Sequence, residues 1–166
     1  MHDYTFDHER KLWWKQPGPW DNEPDKRVWT DEFTGLPCIA QRNYYGAWCG
    51  YVGVRAGHHW FKKPYGKVCY IAEVDVHGGL TYSDTREDEA VWWLGFDCSH
   101  AFDYVPGYPF RDLDAAIDSY CTLAYVQEQC AKLALQAHKA HMLSDDNVGY
   151  DPDPADNSLP MSCRLR

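Results

Sequence analysis

The chain has no run approaching the roughly 20 apolar residues needed to cross a bilayer, so no membrane helix is expected. It opens on MHDYTFDHERK, which is polar and charged and lacks the apolar stretch of an export leader. Its seven cysteines (38, 49, 69, 98, 121, 130 and 163) are odd in number and form no Cys-x-x-Cys pair. A reduced, cytosolic setting is therefore expected rather than a disulfide framework. Acid is missing locally: from Phe33 to Ala72 there is no Asp or Glu, although the net charge is −9. That overall balance argues against broad binding to duplex nucleic acid, but within the acid-free segment Arg42, Arg55, Lys62, Lys63 and Lys67 have no acidic neighbour in sequence.

With 166 residues the chain suits one domain. A chain of this size buries enough surface to fold without staples. Aromatics make up 16% of the residues, including 8 Trp and 12 Tyr, and most of them should be core. Residues 1–35, with Pro17, Pro19 and Pro24, read as an irregular Trp-rich arm whose Trp13, Trp14, Trp20 and Trp29 pack on the domain. Residues 36–143 read as the folded unit, and 144–166 as a disordered acidic tail.

Within the folded unit, Leu36–Arg42 and Trp48–Arg55 read as strands joined by a hairpin over Asn43–Ala47. Gly50 and Gly53 suggest a bulge or a close backbone approach. Val68–His77 alternates apolar and polar residues and predicts a half-buried strand. A short strand follows at Leu80–Tyr82, then a charged turn, SDTREDE. Ala90–Phe96 is apolar on both sides and predicts a central strand. Asp112 to about Met142 reads as helix, with Leu113, Ile117, Tyr120, Ala124, Ala131, Ala134 and Leu135 as its apolar stripe. The stripe blurs near Asp118 and Ser119, where a new helix could begin. The expected fold is α+β: a small antiparallel sheet packed against one long C-terminal helix.

The densest chemistry lies in VWWLGFDCSHAFDYVPG, residues 91–107. In a helical turn, the spacing of three puts Asp97, His100 and Asp103 on one side. Two carboxylates and an imidazole can ligate a divalent cation or hold a general base. His77, at the end of the Val68–His77 segment, is a natural fourth member. His77, Asp97, His100 and Asp103 are thus candidates both for catalysis and for a divalent metal, with His100 as base or ligand. An ordinary structural role for the same residues, with Asp97 capping a turn and His100 satisfying a carbonyl, weighs as heavily. Cys98 and Cys49 read as small buried hydrophobes. His138 and His141, three apart, read as favouring the negative end of the helix.

The acid-free segment contains RAGHHWFKKPYGK, residues 55–67. Its Arg55, His58, His59, Trp60, Lys62, Lys63 and Lys67 combine cations with stacking faces, as binding an anion with a flat ring requires. A solvated basic loop with anchoring aromatics is the plainer reading.

The run GLPCIAQRN…WCGYVGV…VHGGLTYSD…WWLGFDCSHAFDYVPG, with YVQEQCAKLALQ after it, resembles a group of short proteins encoded by tailed bacteriophages. The likeness covers about residues 34–108, and its VHGGLTY and WW-x-GFD-x-x-H blocks are the most specific parts. It implies a protein made in the cytoplasm of an infected bacterium, where small accessory proteins often act in host takeover or against defence. It assigns no catalytic role to any residue. Three functions are therefore expected to compete. One is binding, with or without hydrolysis, of a small phosphate-bearing ligand such as a nucleotide. The second is non-enzymatic docking of an acidic inhibitor on a host protein through the Trp-rich arm and acidic ends. The third is a virion component.

Overall fold

A computed structural model describes residues 1–5, 14, 17–108 and 119–145. Six strands form one antiparallel sheet in the order β1-β2-β3-β4-β6-β5. They are β1 (His2–Tyr4), β2 (Lys26–Thr30), β3 (Pro37–Arg42), β4 (Trp48–Arg55), β5 (Tyr82–Thr85) and β6 (Val91–Asp97). Two helices complete the fold: α1 (Tyr65–Ala72), and α2 (Leu123–Asp145), which packs across β3 and β4. The fold is α+β, with one long helix at the C-terminal end, as the sequence predicts.

The strand period of two sets the sheet's faces. Cys38 and Ala40 of β3, Trp48, Val52 and Val54 of β4, and Leu94 and Phe96 of β6 join the main core with α2. Ile39, Val91 and Trp93 form a smaller cluster on the opposite face. Asn43 fixes the β3–β4 hairpin, because its Oδ1 accepts the N–H groups of Tyr45 (3.0 Å) and Ala47 (3.1 Å). Gly50 and Gly53 mark close approach within the β4 ladder. A Cβ on Gly50 would lie 2.4 Å from Phe96 and 2.8 Å from Cys130 of α2, so the helix rests on bare backbone there.

Five sequence expectations need correction. The Val68–His77 segment is not a strand. Its first half is α1, where Val68 and Cys69 both face the core; in a strand these neighbours would point apart. Its second half is irregular: Glu73, at φ 46°, ends α1 in the left-handed region, and the stretch has no strand partner. Val74 and Val76 are buried, while side chains of α2 take the backbone's hydrogen bonds. Gln136 Oε1 accepts Asp75 N–H (2.8 Å) and Gln129 Oε1 accepts His77 N–H (3.0 Å). The alternation reported true burial, but a helix, not a neighbouring strand, provides the partner groups.

The next strand lies at Tyr82–Thr85, two residues later than Leu80–Tyr82, so it takes up the start of the charged turn. The segment 1–35 contributes β1 and β2 to the sheet and is not wholly irregular. Trp20 is buried and Trp29 packs on the core; Trp13 lies outside the described residues. The long helix begins at Leu123, because residues 119–122 are not helical and Ser119 bridges to Asp103; residues 109–118, with the expected start at Asp112, lie outside the described residues. Its buried stripe is Leu123, Val126, Cys130, Leu133, Ala134 and Ala137, whereas Ala124 and Ala131 are exposed. The tail expected from 144 falls outside the described residues from 146 onward, and α2 reaches Asp145.

A buried polar knot secures the start of α2. Arg42, 5% exposed, donates to Glu23 Oε2 (2.7 Å), the Tyr120 hydroxyl (2.7 Å) and Gly46 O (2.7 Å). Its guanidinium lies 4.2 Å from the Trp48 ring centroid. Tyr120 donates a short hydrogen bond to Glu23. The second Glu23 oxygen accepts Leu123 N–H (2.7 Å), so it caps the helix. Burying this charge is tolerable because its partners are buried with it.

Candidate functional site

Four segments converge at the N-terminal end of α2. The irregular stretch after α1 carries His77, which Gln129 holds through its backbone. The turn after β6 carries Cys98, His100 and Asp103. Ser119 pairs with that turn: Tyr104 N–H donates to Ser119 O (3.0 Å) and Ser119 N–H to Phe102 O (2.8 Å). This strap brings Cys121 beneath Asp103 just before the helix begins. Tyr125 lies on the first turn of α2.

Asp103 is the hub. Its Oδ2 accepts from His77 Nε2 (3.0 Å) and from the His100 backbone N–H (2.8 Å). His100 Nδ1 lies 3.3 Å from the same oxygen, but without the alignment of a hydrogen bond, and this nitrogen is buried with no hydrogen-bond partner. The two imidazole centroids are 5.3 Å apart. His77 Nδ1 sits 3.0 Å from the Tyr125 hydroxyl, so both its nitrogens face oxygen. Asp103 and His77 side chains are 9% and 18% exposed and His100 is 32% exposed, which leaves His100 the group nearest solvent.

Gly78 makes this approach achievable. It adopts φ +63°, and a Cβ there would stand 2.1 Å from His100 Cε1. Phe102 adopts φ 75° and is 62% exposed between the two polar residues. A bulky residue in that conformation is uncommon and strained.

The electrostatics follow from the contacts. The hydrogen bond to Asp103 raises the His77 pKa, against the opposing effect of burial. Burial opposes ionisation of Asp103, but the His77 and His100 hydrogen bonds and both imidazole charges outweigh it, and its pKa is lowered. Beneath them, Cys98 and Cys121 share a thiol hydrogen bond. It is the chief reason why Cys121 is held below the ordinary thiol range and Cys98 is pushed above it. Cys121 Sγ also lies 3.8 Å from Asp103 Oδ1. Cys38 and Cys49, in contrast, are pushed up by burial to about 12 and about 11 and behave as inert core groups.

The structure thus unites His77, His100 and Asp103 and leaves Asp97 outside. Asp97 ends β6, and its Oδ2 accepts the Thr81 hydroxyl (2.8 Å). A helical turn through 97–103 would have aligned all three; the strand continues one residue too far for that. The sequence reading missed Cys121 and Tyr125 and took Cys98 as plain core. Nothing in their spacing marks them, since each reaches the site from a different segment.

The basic segment 55–67 is anchored elsewhere on α2 through His58. His58 Nε2 donates to Ala137 O (3.0 Å) and Nδ1 accepts Trp60 N–H (2.9 Å). Trp60 is fully buried. The segment therefore seats on α2 at Ala137, twelve residues along from Tyr125 beside His77, which is about 18 Å of helix. Arg55 pairs with Asp88 at 3.6 Å and Lys67 lies over Tyr70 within α1. Of the expected ligand set Arg55, His58, His59, Trp60, Lys62, Lys63 and Lys67, His58 and Trp60 are thus engaged at Ala137 and in the core, and Arg55 on Asp88, rather than beside His77 and His100. His58 and Trp60 are anchors, and His141 stacks on His58 (5.1 Å) rather than serving only as a charge at the helix end.

No family model, curated protein or solved structure matches the chain. Among the described residues, no helix is long and apolar enough to cross a membrane.

Proposed function

We propose that the protein is a phage accessory factor that binds and hydrolyses a small phosphate-bearing ligand, such as a nucleotide, at the His77–His100–Asp103 centre. The observation that carries this reading is the convergence of two histidines, distant in sequence, on one carboxylate at a partly open surface. A buried carboxylate that holds the His100 backbone, beside an imidazole that solvent can reach, supports a general base at this position. In the proposed reaction His100 takes a proton from an attacking water. The phosphorus–oxygen bond to the leaving group breaks, and solvent protonates the leaving oxygen. Phe102 offers an exposed ring on which a base could stack. The phage setting and an anti-defence role rest on the VHGGLTY and WW-x-GFD-x-x-H resemblance.

The test is a panel of nucleotides and phosphate esters, with and without divalent cations. It is read as turnover and as a melting shift in the wild type and in His100→Ala. Turnover that falls at least about 100-fold in the variant is expected, the size of a typical acid–base contribution. Absence of turnover, with no shift above about 1 °C across the panel, overturns the reading, because binding to the folded state must raise its apparent stability. Salt-sensitive capture of a host protein that survives His100→Ala would then favour the docking alternative.

A further inference from the structure

The two cysteines beneath the histidine pair have no part in the reaction proposed above, yet they sit where a soft cation would find its ligands. One ligand atom each from His77, Cys98 and Cys121 lies within 4.8 Å of the other two. A second triad, His77, His100 and Asp103, meets the same limit and shares His77 with the first. Tetrahedral zinc, with zinc–sulfur bonds near 2.3 Å and zinc–nitrogen bonds near 2.0 Å, places its ligand atoms roughly 3.3–3.8 Å apart. The 3.8 Å separation of Cys121 Sγ from Asp103 Oδ1 is on that scale.

The geometry points to a zinc site formed by Cys98, Cys121 and His77, with its fourth position turned toward Asp103 and His100. Thiolates select zinc over magnesium or calcium. A Cys₂His set with an open fourth position is the donor pattern of catalytic rather than closed structural zinc. The surroundings also fit. Whichever His77 nitrogen goes to the metal, the other keeps an oxygen partner, Asp103 or Tyr125, as ligating histidines almost always do. His100 Nδ1, buried without a hydrogen bond, lies 3.3 Å from Asp103 Oδ2. On binding, the ion displaces the two thiol protons to solvent; no oxidant or reductant is involved. The ion would tie the turn after β6 to the first turn of α2, and to the stretch after α1 through His77.

This site does not depend on the phosphate-ester reading, and the two can fail separately. The test is metal analysis of the full chain purified under reducing conditions. Chelation, reloading with Zn²⁺ and then with Co²⁺ follow. Expected are about one zinc per chain, a melting temperature lowered by chelation and restored by Zn²⁺, and a thiolate-to-cobalt charge-transfer band in the near ultraviolet. Cys121→Ser and Cys98→Ser should each weaken zinc binding at least about tenfold, while Cys49→Ser and His100→Ala should retain it. Should a serine variant fail to fold, the wild-type cobalt spectrum decides. A cobalt spectrum without the thiolate band overturns the site. So does no melting response to Zn²⁺, or metal kept in both serine variants and lost in His100→Ala. Zinc retained in His100→Ala with no turnover in any variant would uphold the metal site and sink the hydrolase.

Discussion

At the scale of single residues, two positions govern the centre and its surroundings. Gly78 is the point where backbone and imidazole nearly touch, so Gly78→Ala should force His100 off Asp103. The left-handed conformation alone costs about 1–2 kcal/mol for a residue with a Cβ. Urea denaturation should register that loss, and phosphate-ester turnover should fall further than stability explains. A variant as active as wild type would mean that the His100 position is immaterial. His58 sets a pH response elsewhere. Burial holds its pKa down to about 4, and its Nδ1 must stay unprotonated to accept Trp60 N–H. His141, His138 and His59 oppose its charge too. In the unfolded chain the group titrates near 6.5, so between about pH 6.5 and 4 the unfolded state binds the extra proton. Stability should be fully present above pH 6.5 and fall as pH drops toward 4, by roughly 1–3 kcal/mol for this group. His58→Gln, whose amide can both accept and donate, should flatten that slope. An unchanged slope would assign the acid response to other groups.

Among the elements, α2 organises the most. It lies on β3 and β4, lends Gln129 and Gln136 to the backbone of the stretch after α1, and starts at the carboxylate of Glu23. Glu23→Ala removes that cap and the carboxylate hydrogen-bonded to Arg42, leaving Asp25 (3.7 Å) as its ionic partner. The expected loss is about 1.5–3 kcal/mol by chemical denaturation, above the roughly 1 kcal/mol of an ordinary lost cap. A loss under 1 kcal/mol would show the knot to be dispensable. Gly50→Ala probes the same helix from below. Its Cβ would press on Phe96 and Cys130, and overpacking of this kind costs roughly 1–3 kcal/mol. In α1 the alternation of Val68, Tyr70 and Ala72 was a misleading guide. Eight residues of that composition satisfy either period, and tertiary packing decides between them.

The whole molecule combines a well-paired sheet centre with a marginal edge. β4 is bonded on both sides and covered by α2, whereas the three residues of β1 are exposed at one edge. Amide exchange should be slowest in β3, β4 and β6 and fast in β1, since local opening follows burial and pairing. Uniform protection across the six strands would contradict this.

The sequence by itself determined the α+β class, the β3–β4 hairpin, the β6 strand and the long helix. Each rests on local signals: a period of two, an Asn–Gly turn region, and a run of good helix formers. It also marked His77, His100 and Asp103 as chemically capable. Tertiary structure alone decided that Asp97 stays out, that Cys98 and Cys121 come in, and that His58 of the basic segment seats at Ala137, about 18 Å of helix from Tyr125. Those outcomes depend on where α2 begins and which strand ends lie over it, and such distances between remote segments leave no periodic trace along a chain.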